Sequence, residues 1–179
     1  PTDKAAIFTI TGTPTMIQPL SSADESAAKV SSIPPPVTNV PTAFYDTVAA
    51  AAKYLTDQAP SNYRRVIIVL SDGDDNFSTV TREMSVAEAN QRLSGNEVSQ
   101  GTRTGLQQAH RRASAGVQKL VEQADAIFYS VNPGGPSIKL NQIAMRGEQN
   151  MESIAEATGG TAFVPDSDKD LERVFRQVA

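Results

Sequence analysis

Three carboxylates and an amide crowd one short stretch of the chain, Asp72-Gly73-Asp74-Asp75-Asn76. Oxygen donors at this density suit a hard cation such as Mg2+ or Ca2+. Left bare they repel one another, so a cation or a helix N-terminus has to offset their charge. The stretch follows directly on Arg65 to Leu70, an arginine and then an unbroken apolar run. Such a run reads as a strand buried on both faces, as in a parallel sheet. Ligands of open α/β sheets collect in the crevice at the carboxyl ends of these strands. The acidic loop therefore stands where a site is expected.

Other chemistries compete for the same residues. Asp, Gly and Asn are also the ordinary turn formers, so a solvated turn is the plainest reading. Counted from Asp72, the residues Asp74, Asn76 and Glu83 fall on calcium-loop positions. Phe77 then occupies the place where that loop needs glycine, and a strand precedes it where a helix is required. An Asp-x-Asp pair after a strand also fits a phosphoryl-transfer enzyme, with Asp72 as nucleophile and Asp74 as acid. That chemistry wants a Lys or Arg to hold phosphate, and none sits at an obvious strand end. Thr42, ahead of a helical stretch, reads as an N-cap, or as a hydroxyl ligand on the same sheet edge as Asp72. His110 has no Ser or Asp spaced for a triad and reads as a solvated or partly buried helix residue. Arg111 and Arg112 read as a solvated face. Tyr45 packs under the site or reaches Asp46.

The elements that must position these residues are legible in outline. Ala5 to Ile10 reads as a strand, Gly12-Thr13-Pro14 as a turn, and Thr15 to Leu20 as the antiparallel return. Ser21 to Asn39, rich in Ser, Ala and Pro, reads as a connector with at most one short helix. Thr42 to Gln58 carries Phe44, Val48, Ala51, Ala52 and Leu55 on one helical face, and Pro60 follows its end. Ser78 to Gly105 is polar and reads as an inserted loop, in which Ser85-Val86-Ala87-Glu88 fits a capping box for a short helix through Leu93. Leu106 to Ala124 is helical again. Ala126 to Val131 is a strand closed by Asn132-Pro133-Gly134-Gly135. Met151 to Ala157 is a short helix stopped by Gly159-Gly160, Thr161 to Val164 a short strand, and Ser167 to Val178 the last helix. From Thr42 onward helices and strands alternate, which implies a mostly parallel sheet covered on both faces. The expected fold is α/β, doubly wound and three-layered, in one domain spanning residues 1–179.

Composition narrows the partners. The 179 residues suffice for one sizeable core. With 39% hydrophobic and 20% charged residues, the chain reads as globular rather than disordered. A net charge of −4 argues against nucleic acid as the main partner. No apolar run nears the roughly 18 residues of a membrane span. Cysteine is absent, which excludes disulfides and Cys-ligated zinc.

Pro41-Thr42-Ala43-Phe44-Tyr45-Asp46, followed by Ile68-Val69-Leu70-Ser71-Asp72-Gly73-Asp74-Asp75-Asn76, resembles the second and third motifs of a von Willebrand factor A domain. Ile154 to Phe163 and the helix bearing Leu171 and Phe175 resemble that domain's last βα unit. The resemblance is nearest to a bacterial group of these domains found in Acidobacteria and similar organisms. It implies a Rossmann-like doubly wound sheet with a metal-ion-dependent adhesion site at its carboxyl edge. There Thr42 and Asp72 reach Mg2+, or Mn2+ or Ca2+ in its place, directly or through water. Gly73, Asp74, Asp75 and Asn76 form the binding face. It further implies a protein-binding or cell-adhesion module rather than an enzyme, engaging an acidic residue of a protein partner in an extracytoplasmic location.

The family's first motif, Asp-x-Ser-x-Ser at the end of the central strand, is not found. Asp24-Glu25-Ser26-Ala27-Ala28 is the nearest spelling, with Ala at its last position and no apolar strand before it. The chain therefore reads as starting after the family's first strand and helix. Three expectations follow: an incomplete or rearranged sheet at the N-terminus, a metal affinity that is weak or lost, and an unpaired strand edge open to self-association. The competing readings are a structural or interaction domain with an incomplete, metal-free site, and a phosphohydrolase built on Asp72.

Overall fold

The computed structural model describes residues 3–34, 40–135, 142–165 and 167–178. Pro35 and Pro36 of the expected connector, and Pro1, lie outside the described residues. Strands β1 (Lys4–Thr9) and β2 (Thr15–Ser22) form an antiparallel pair. Helix α1 (Ala23–Ser31) follows at once, because Ser22 and Glu25 make a reciprocal capping box. Helix α2 (Phe44–Gln58) leads to strand β3 (Arg65–Leu70). Helices α3 (Arg82–Leu93) and α4 (Gln100–Gln123) precede strand β4 (Ala126–Val131). Helix α5 (Gln142–Ala157), strand β5 (Ala162–Phe163) and helix α6 (Asp168–Val178) complete the order.

The second sheet is parallel, in the order β3-β4-β5. Its register pairs Ile67 with Phe128 and Ile68 with Tyr129. One face carries Ile67, Val69, Ala126 and Phe128. These pack with Phe44, Val48 and Ala52 of α2, Val117 and Val121 of α4, and Met151 and Ile154 of α5. The other face is not equally covered: Ile68 is 43% exposed and Leu70 54%. The expectation that β3 is buried on both faces is corrected accordingly. The run of apolar residues signalled a parallel strand, but only alternate residues of β3 find a cover among the described elements.

Among the described residues the two sheets are separate: β1 pairs with β2 alone, and β3 stands at the outer edge of its sheet. Helix α2 joins them: Phe8 of β1 meets Tyr54 edge-on at 5.9 Å between ring centroids, and the Leu20 N–H donates to the Tyr54 hydroxyl at 3.0 Å. Arg65 fastens the other end of the layer. Its guanidinium donates to the Ala59 and Ala124 carbonyls, where α2 and α4 end, at 2.9 and 2.8 Å. A cation at two helix C-termini also meets the negative ends of both dipoles.

Ser78 to Gly105 is not an open loop but contains α3 and the first turns of α4. The expected short helix is present and ends at Leu93 as read from the sequence, and its polarity is real, since none of its residues is buried. Its start differs from the expected capping box at Ser85: the helix begins at Arg82, three residues earlier. Helix α5 likewise begins at Gln142, well before Met151.

Two adjacent isoleucines test the one-sided burial. Ile67→Ala is expected to cost about 2–5 kcal/mol in urea unfolding, the range for a buried aliphatic truncation. Ile68→Ala is expected to cost less than about half of that, its side chain being largely in solvent. Equal costs would show that the second face is covered in solution.

Candidate functional site

Helix α2 begins at the carboxyl edge of the parallel sheet, and its first N–H groups need acceptors. The residue before it, Ala43, has no side chain to offer, and Thr42 does not serve as the expected cap. The acceptors come from the acidic loop instead. The Tyr45 N–H donates to Asp75 Oδ2 at 3.1 Å, and the Asp46 N–H to Ser78 Oγ at 3.1 Å. Asp75 is 1% exposed. It accepts further hydrogen bonds from the Ser78 N–H at 3.3 Å and from the Ser78 and Thr81 hydroxyls. Asp46 returns the link, accepting from Thr79 N–H and Oγ1 at 2.9 Å each. Asp75 was expected on the binding face; it is instead a buried anion at a helix N-terminus, surrounded by donors.

Thr42 is bound to the same loop through its backbone. Its N–H donates to Asn76 Oδ1 at 2.9 Å, and its carbonyl accepts from the Asn76 and Phe77 N–H groups at 3.1 and 3.0 Å. This occupies the Asn76 side-chain oxygen, so Asn76 positions Thr42. The Thr42 hydroxyl is buried and has no hydrogen-bond partner. Thr42 and the acidic loop are thus brought together as the motif pairing expected.

Asp72 is exposed, and one of its oxygens, Oδ1, accepts from the Asp74 N–H at 3.1 Å. Gly73 has φ +77°, and a Cβ there would come within 2.6 Å of the Gly147 carbonyl oxygen. A Cβ on Gly147 would lie 2.5 Å from the Asp72 carbonyl oxygen. Two glycines therefore let α5 rest directly on the loop backbone. Gly147 has its structural reason in that contact.

Beneath the loop lies a polar group that the sequence showed only in part. The Tyr45 hydroxyl and His110 Nδ1 share a hydrogen bond of 3.0 Å, with His110 only 3% exposed. Burial, with Arg146 adding to it, pushes the His110 pKa down to about 4, so the ring is neutral at pH 7. Burial also pushes the Tyr45 phenol upward, and Asp75 adds to the shift. Asp74 is raised above the ordinary carboxylate value by burial first and by neighbouring Asp72 second, while Arg146 pulls it the other way. Tyr45 therefore reaches His110, not Asp46. Ser78, Thr79, Thr81 and Arg146 were missed by sequence reasoning. The Asp75-x-x-Ser78 spacing was the one available signal for the first of them.

The chemistry on offer is that of oxygen donors with one oxygen of Asp72 and the Thr42 hydroxyl uncommitted within the protein. The orphaned hydroxyl fits a hard cation. Among the described residues, however, no three His, Asp or Glu side chains gather into a metal-binding group. A cation fits this edge only if water supplies most of its ligands, a habit of Mg2+.

No protein-family model matches the chain, and no curated protein matches it in sequence. Its likeness is to solved structures. An aerotolerance-related membrane protein from Bacteroides fragilis matches 99% of this chain over 79% of its own, at 18% identity and a TM-score of 0.55. The conserved hypothetical protein BatB from Bacteroides thetaiotaomicron matches 99% over 78%, at 17% identity and a TM-score of 0.58. At such identities the shared property is the fold: mixed α/β with a small parallel sheet, consistent with a Rossmann-like arrangement. Neither neighbour supports the Acidobacteria affinity.

If Asp75 fastens the edge, Asp75→Ala leaves the Tyr45 and Ser78 N–H groups and two hydroxyls without their acceptor. The expected cost is about 3 kcal/mol or more in urea unfolding, with faster amide exchange at Tyr45 and Ser78. A cost below about 1 kcal/mol, in the range of ordinary surface changes, would contradict that role.

Proposed function

We propose that the chain is a von Willebrand factor A-like interaction domain in which the edge carrying Thr42 and Asp72 docks an acidic residue of a protein partner. The observation that carries this reading is the Thr42 hydroxyl, buried and without a partner, on a backbone bound to the loop that carries Asp72. Thr42 and Asp72 would hold Mg2+, with Mn2+ or Ca2+ as substitutes. When bound, the ion supplies an open position for an outside carboxylate. Gly73, Asp74 and Asn76 border that position. The affinity is weak, because two protein ligands leave the rest of the coordination to water. In this reading the whole chain, 1–179, is one doubly wound domain and not an enzyme.

The fold shared with an aerotolerance-related membrane protein supports an extracytoplasmic, membrane-associated setting. Among the described residues no helix is long and apolar enough to cross a membrane. The open β3 edge and the exposed Ile68 and Leu70 also suit self-association.

A phosphohydrolase is the second reading. Asp74 is raised as an acid would need, and Arg146 supplies the cation the sequence did not reveal. The loop nevertheless gives its most buried carboxylate, Asp75, to fastening α2. No turnover of p-nitrophenyl phosphate is expected; turnover abolished by Asp72→Asn would establish the enzyme reading instead.

The metal reading is tested by thermal unfolding against Mg2+. The protein should be stabilised by Mg2+ at about 1 mM and above, the range of weak oxygen-ligand sites. Thr42→Val removes a buried orphan hydroxyl, so without metal it should be more stable by about 1 kcal/mol. It should also lose the Mg2+ response, as should Asp72→Asn. Equal responses in all three proteins would overturn the assignment, and no response in any would favour the metal-free domain.

A further inference from the structure

The side of α5 that rests on the loop carries donors in a row. Arg146 and Asn150 are one turn apart, flanked by Gly147 on the loop backbone and Met151 in the core. Arg146 is half-buried, and among the described residues its guanidinium makes no hydrogen bond and no ion pair within 4.0 Å. That is unusual for a guanidinium close to Asp74, since partial burial favours pairing. Asn150 Nδ2 is buried against the Tyr45 hydroxyl, and Nε2 of His110 is buried without a partner. Gly147, the neighbour of Arg146, lies against the Asp72 and Gly73 backbone, which sets Arg146 at the acidic loop.

We infer that Arg146 is a carboxylate anchor that contacts the acidic partner directly, next to the proposed cation position. The inference rests on the proposed docking of an acidic partner and adds the residue that would recognise it. A half-buried guanidinium without an acceptor marks an anion site, and it grips a carboxylate through two parallel N–H bonds. A carboxylate is the fitting anion because it carries a single charge. A phosphate ester carries about −1.5 to −2 and would meet stronger repulsion from Asp72 and Asp74. Arg146 also offsets part of the loop's charge, which lessens the repulsion that an approaching acid meets.

The test is an NMR titration of the 15N-labelled protein with sodium acetate, against sodium chloride at matched ionic strength and against sodium phosphate. Acetate should give saturable shifts at the Arg146 Nε–H and at the Gly73 and Gly147 amides. The shifts should vanish in Arg146→Gln, weaken several-fold in Arg146→Lys, and persist in EDTA and in Thr42→Val. Persistence there separates this anchor from the metal reading, which those two conditions remove. Equal shifts with acetate and chloride would overturn the inference, as would phosphate binding more tightly than acetate. An acetate response that survives Arg146→Gln but is lost in EDTA would overturn it while supporting docking through the cation alone.

Discussion

The carboxylate of Asp75 is the interaction on which the edge of this protein depends. A helix needs acceptors for its first N–H groups, and α2 has none of its own, since Ala43 precedes it. Asp75 supplies one from thirty residues away in sequence, and Ser78, held by Asp75, supplies the next. The same carboxylate gathers the Ser78 and Thr81 hydroxyls, so the turn into α3 is set by it as well. Buried charge is costly unless surrounded by donors, and this one is. The arrangement turns a run of mutually repelling aspartates into a fixed loop, which then holds Thr42 through Asn76.

The remaining charges of the loop divide by burial. Asp75 faces inward, Asp72 faces solvent, and Asp74 lies between them with a raised carboxyl pKa. Helix α5 closes the loop from the other side through the Gly73–Gly147 contact and brings Arg146 with it. An edge so built offers an exposed acid, an orphan hydroxyl and an uncommitted guanidinium together. The sheet behind it is covered on one face by α2, α4 and α5, while Ile68 and Leu70 remain open on the other.

Much of the fold was legible because periodicity and turn chemistry agree in most elements. Ala126 to Val131 and the β1–β2 hairpin emerged close to their observed bounds. Only the start of helix α3 was obscured, because the helix buries nothing and its sequence carries no apolar stripe. The start of α2 was misread for a different reason. Local sequence points to Thr42 as the cap, while the true acceptors are tertiary and invisible to spacing along the chain. Asp75 was assigned to the rim on similar grounds, because a row of aspartates looks uniform until the fold decides which one is buried. Arg146 left no signal at all: only α5 packing on the loop brings it to the edge.

The central claim is that Thr42 and Asp72 form a cation position on an edge fastened by Asp75. Paramagnetic broadening by Mn2+ tests it most directly. At low Mn2+ the amide signals of Thr42, Gly73 and Asn76 should broaden before those near the acidic residues of α6, half-buried Asp170 and exposed Glu172. Simultaneous broadening at both places would show only diffuse attraction to surface carboxylates and would contradict the claim.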